Sequence, residues 1–229
     1  MKYIEYISKY PVPSIGVFIT ILPIILLLSR KELNTPLRLF TFYLISKLVL
    51  DLIAFHLASY KINNLLIGNI SVLSSLLIIS AFFYFTFLDD KTRRTILIIS
   101  IVYGLIFLFD FIYSNVDLLD LNNHRYVTIS TALRSGVILL FCLLFFSELI
   151  QELYISDLSR SAIFWCVCGL IVYHSVCLFS TALFNACYRW NFNHKMNAIL
   201  HLQYYFEVVF MIIVSIGVVR YKKVSYLEK

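Results

Sequence analysis

Long apolar runs separated by short polar connections dominate this chain, and seven of them are long enough to cross a bilayer as helices. They fall at about 11–29, 37–59, 65–88, 95–113, 127–149, 162–184 and 197–219. The pattern predicts an all-α polytopic membrane protein, a single seven-helix transmembrane domain covering 1–229. Pro23 should kink the first span, since a proline within a helix lacks the N–H of one turn and crowds the carbonyl four residues earlier. Pro36 reads as a breaker before the second span, and residues 89–94 (DDKTRR) as a charged hairpin connection. The connection at 150–160 is amphipathic and reads as an extension of the fifth helix beyond the membrane. The six glycines fall one each in six of the spans, the spacing expected of close helix contacts.

Composition agrees with this pattern. Hydrophobic residues make up 61% of the chain and charged residues 14%, and the mean hydropathy of +0.87 is far from that of an average soluble domain. The net charge of +6 is scattered over short connections and the C-terminal tail, without a basic domain or an aromatic platform. Nucleic acid is therefore not an expected partner, and anionic lipid headgroups are. With seven spans, one face holds six basic residues and the face bearing the C-terminus holds eleven. The positive-inside rule then places the N-terminus outside and the C-terminus in the cytoplasm. Trp190 and Tyr188 fit an outer aromatic belt and Trp165 an inner one.

Candidate chemistry lies in the ionisable residues within the spans. Lys47, Glu207 and His174 fall near the midpoints of their helices; Asp51, Arg134 and Asp110 lie about 4–8 Å toward the outer end, and His201 about 10 Å. None lies in the inner half, which predicts a polar cavity reaching the middle of the membrane from outside. Tyr43, Lys47 and Asp51 recur every four residues, Tyr103 and Asp110 are seven apart, and His201, Tyr204 and Glu207 are three apart. Each set makes one polar stripe. The candidate binding residues are therefore Lys47, Asp51, Asp110, Arg134, His174, His201, Tyr204 and Glu207. For each of them a structural reading stands beside the functional one. Lys47 and Asp51 can neutralise each other within one helix, Arg134 can clamp Glu207 or Asp51, His174 can be a packed core histidine, and Asp110 and His201 can reach interfacial water.

The chain lacks H-E-x-x-H, a nucleophile elbow and a Walker loop. His194 and His201 are seven apart, too far along a helix for the H-x-x-x-H pair of a seven-span zinc hydrolase. Cys166 and Cys168 form C-x-C on different helix faces. No metal, cofactor or disulfide framework is expected, and the remaining enzymatic reading is an acid/base site built from Glu207 and His174. The general plan, including YKINN before the third span and RSAIFWCVCGLIVY opening the sixth, resembles uncharacterised bacterial seven-helix membrane proteins and the membrane sensor modules of some histidine kinases. That resemblance implies a sensor-like protein of a bacterial inner membrane, and with the outward polar cavity read from the residues the expectation is a binding or sensor-like protein. Because the connections are short, such a protein would signal through a separate cytoplasmic partner. The alternatives are an oligomeric channel or permeability-altering effector, as in stress or antiviral defence, or a proton-coupled transporter.

Overall fold

A computed structural model describes residues 2–30, 32–115, 122–152, 158–189 and 193–221. The expected outer belt residue Trp190, the tail lysines Lys222, Lys223 and Lys229, and parts of the connections at 114–125 and 150–160 lie outside the described residues, as does the side chain of Tyr188.

Among the described residues, seven helical segments are long and apolar enough to cross a membrane, the architecture of an integral membrane protein. The chain starts with α1 (Lys2–Lys9), a short helix not evident in the polar N-terminus; Tyr3 Oη lies 2.6 Å from His56 Nδ1, and Lys2 sits over the Tyr60 ring. The first span is two helices, α2 (Pro11–Ile19) and α3 (Ile21–Leu28), joined at Thr20. The break falls where Pro23 dictates, because its ring crowds the carbonyl of Ile19 and the helix yields one turn before the proline.

Next comes α4 (Thr35–Ser59), which begins ahead of its apolar run. Asn34 caps it by accepting from Leu37 N at 3.1 Å, so Pro36 sits inside the first turn rather than breaking the helix. It is followed by α5 (Leu65–Thr86) and α6 (Asp90–Ser114). The charged DDKTRR stretch is mostly helix rather than a hairpin. Asp89 accepts from Thr92 N and Thr92 Oγ1, both at 2.9 Å, and α6 starts at the next residue. The last three helices are α7 (Thr128–Glu152), α8 (Ala162–Arg189) and α9 (Asn193–Arg220).

The glycines divide into two groups. A Cβ at Gly217 would lie 2.2 Å from Trp165 Cβ, and one at Gly169 would lie 2.7 Å from Phe210 Cδ2, so α8 and α9 pack at a distance only glycine permits. Gly104 and Gly136 have nothing within 4 Å of that position, and the expectation of a close contact at every glycine fails there. Across the carboxy-terminal half of the bundle, Phe40, Phe82, Phe83, Phe141 and Phe210 are fully buried. Phe40 lies 5.4 Å from Phe82 and 6.3 Å from Phe210, and Phe83 lies 5.7 Å from Phe141, centroid to centroid. Helices in lipid gain little hydrophobic drive from associating, so interlocking rings of this kind hold them by dispersion.

Candidate functional site: a polar cavity with an internal ion network

A cavity of about 510 Å³ lies between α4, α5, α7, α8 and α9. Its lining runs from Asn64 and Thr128, at the amino-terminal end of the bundle, down to Ile78, Tyr43 and Glu207. From Asn64 to Ile78 along α5 that is a depth of about 20 Å. Beyond it lies the aromatic layer around Phe40, Phe82 and Phe210.

Six of the eight residues singled out in the sequence line this cavity: Lys47, Asp51, Arg134, His174, Tyr204 and Glu207. Lys47 Nζ donates to Asp51 Oδ2, one turn along α4, at 2.5 Å, and lies 2.5 Å from Glu207 Oε1 on α9. The contact with Glu207 is an ion pair between helices. The Lys47 and Glu207 side chains are 11% and 6% exposed, and that of Asp51 24%, so the network is deepest at Glu207 and wettest at Asp51. One lysine thus answers two carboxylates and joins α4 to α9. Gly16 on α2 backs the network, since a Cβ there would meet Glu207 Oε2 at 3.5 Å.

Arg134 pairs with neither Asp51 nor Glu207, because Lys47 already holds both. Its Nη1 donates instead to Ser75 Oγ on α5 at 3.2 Å, and its Nε is buried without a partner. His174, 1% exposed, has Nδ1 3.4 Å from Ser135 Oγ, and its Nε2 is likewise buried and unpartnered. Glu207 and His174 hold different partners, which gives no support to an acid/base couple between them.

Asp110 and His201 do not line the cavity, and the polar stripes that carried them there need correction. Asp110, 5% exposed, accepts from Ser130 N at 2.8 Å and from Ser130 Oγ at 2.7 Å. Tyr103 Oη donates to Ser130 O at 3.0 Å. The stripe Tyr103–Asp110 therefore faces the first turn of α7, where a carboxylate satisfies an orphan helix N–H and complements the helix dipole. On α9, His201 precedes Glu207 by six residues, about 120° away around the helix, whereas Gln203 and Tyr204 lie four and three residues before it and share its side. His201 Nδ1 is buried and unpartnered outside the cavity.

Sequence reasoning passed over α5. Asn64, Gly68, Ser71 and Ser75 recur at spacings of four, three and four and all line the cavity, a small and polar helix face that the apolar bulk of the span obscured. Gln203 was also missed; it donates to Ser180 Oγ at 2.6 Å and ties α9 to α8. Asn69, on another face of α5, holds the connection ahead of α7 by donating to Arg125 O and accepting from Val127 N. Among the described residues, no cluster of three or more His, Cys, Asp or Glu side chains could hold a metal ion. No protein-family model, curated protein or solved structure matches the chain.

Proposed function

We propose that this is a binding or sensor-like protein of a bacterial inner membrane. Its N-terminus lies outside, and its cavity receives a small polar ligand from that side. The observation that carries the reading is a cavity that reaches the amino-terminal end of the bundle, is lined by the Lys47–Asp51–Glu207 network and is backed by an aromatic layer. A pocket of this size with a few convergent polar groups suits a small molecule, and charged groups at membrane depth persist where they serve a site or pair with one another. The face with more basic residues then lies in the cytoplasm, against anionic headgroups. Ligand occupancy is relayed there to a separate protein partner through movement of α4 against α9, the two helices Lys47 joins.

Cysteine labelling tests the reading. Ser71→Cys should react with a membrane-impermeant thiol reagent added from outside, and a ligand that fills the cavity should protect it. Complete protection without ligand would defeat the outward cavity.

The two carboxylates sharing one lysine favour a second reading, proton-coupled transport or an oligomeric channel, because such a network can exchange a proton as its partners move. That reading requires flux in proteoliposomes that Glu207→Ala or Asp51→Ala abolishes. Binding without flux separates the sensor from it.

A further inference from the structure

The charges of the cavity are arranged unevenly. On the α4–α9 wall Lys47 is bound to Asp51 and Glu207, while on the α7 wall no carboxylate among the described residues pairs with Arg134. The Arg134 guanidinium makes one hydrogen bond, to Ser75 Oγ at 3.2 Å, and its buried Nε makes none. A guanidinium is a planar fork of N–H donors that fits a carboxylate or phosphate through two parallel bonds. Ser75 is a poor substitute, since one neutral hydroxyl meets a single N–H and leaves the charge unanswered.

His174 supplies a second specificity. The Ser135 hydroxyl donates to Thr131 O at 3.4 Å, so its oxygen is left to accept from His174 Nδ1, also at 3.4 Å. In the tautomer that this arrangement fits, the proton is on Nδ1 and the buried, unpartnered Nε2 is a hydrogen-bond acceptor. Arg134 and His174 both line the cavity, from the neighbouring helices α7 and α8. A buried acceptor without a donor is costly, and a ligand that brings one removes that cost.

We propose that Arg134 and His174 form the recognition site for a small oxyanion-bearing molecule. The carboxylate or phosphate group sits on Arg134, and a hydroxyl or N–H of the same molecule donates to His174 Nε2. This rests on the cavity being a ligand site and names the ligand's class. Asp51 and Glu207 on the opposite wall are already held by Lys47, so the place for an oxyanion is at Arg134.

The test uses the full chain in nanodiscs, with thermal unfolding followed in sodium lactate, sodium acetate, inorganic phosphate and sodium chloride at matched ionic strength. Lactate or phosphate should raise the unfolding temperature saturably, by several degrees beyond chloride, and Arg134→Gln should abolish the rise. A response to lactate alone assigns a carboxylate ligand, and a response to phosphate alone a phosphate ligand. His174→Leu should remove the advantage of lactate over acetate, which lacks the hydroxyl. If Arg134→Gln does not fold, Arg134→Lys, which keeps the charge and loses the fork, should raise the half-saturating concentration about tenfold. The proposal is overturned if chloride protects as well as the oxyanions, if the response survives Arg134→Gln, or if Arg134→Lys leaves it unchanged. Labelling of Ser71→Cys in the same preparation separates the two levels. A labelled cysteine without oxyanion protection overturns the ligand assignment alone, whereas an unlabelled one removes the accessible cavity and the ligand assignment with it.

Discussion

Lys47 shows how a charge is kept at the middle of a hydrophobic helix. A lysine at that depth costs about 2.5–3.5 kcal/mol on insertion scales, and here it meets one carboxylate on its own helix and another on α9. Removing it leaves Glu207 buried and Asp51 half-buried without their shared cation. Lys47→Met should therefore destabilise the bundle by about 3–5 kcal/mol, the range for breaking a buried ion pair from one side. Adding Glu207→Gln to Lys47→Met should recover much of the loss, and unfolding in nanodiscs across the double-mutant cycle checks both. The i, i+4 spacing made the Lys47–Asp51 pair legible in the sequence. Glu207 was legible as a mid-membrane charge, but its choice of Lys47 over Arg134 was not, because both cations lie on other helices at similar depth.

Among the elements, α8 and α9 are the most tightly joined, and Gly217 allows it. Gly217→Ala would drive a methyl into Trp165 Cβ, which is anchored next to the main chain and cannot swing aside. The expected cost is about 1–3 kcal/mol, as for overpacking elsewhere. Gly136→Ala, with open space around the same position, should be neutral or stabilising through helix propensity. Thermal unfolding of the two variants side by side checks the contrast. Spacing alone could not separate these glycines, since each is a single small residue in an apolar run.

The start of α6 carries a pH dependence. The N–H and hydroxyl of Thr92 hold the exposed Asp89 carboxyl below its ordinary value of 3.8. A depressed carboxyl contributes stability that is present above its unfolded value and is lost as the pH falls through the folded one. Asp89→Ala should thus lower hydrogen-exchange protection of the Thr92 amide at neutral pH. Wild type should converge on the variant as the pH falls below 3.8.

At the scale of the whole molecule, the cavity and the loop charges bear on the same axis. The amino-terminal end that the cavity reaches is also the end with fewer basic residues, so in the orientation proposed from the positive-inside rule the cavity would open outward. Reporter fusions should find the N-terminus outside and the C-terminus in the cytoplasm, and the reverse result would turn the cavity inward. The aromatic layer beyond the Lys47 network favours a one-ended vestibule over a pore through a single chain. A channel would then have to form between copies.

Periodicity and composition by themselves determined that the chain is a seven-span helical bundle, which spans carry charge, and at what depth, because helix rise and bilayer thickness convert residue number directly into position along the membrane normal. Rotation about each helix and the choice of neighbour were decided only by the tertiary structure. Those depend on which side chains interlock, so Asp110 could be given a level along its helix and still face α7 instead of the cavity. For the same reason a modest face of serines and Gly68 on α5 became one wall of the site. Lys47, the clearest anomaly in the sequence, proved to be satisfied by its neighbours, while Arg134, which lines the cavity, has one hydrogen bond and a buried Nε without a partner.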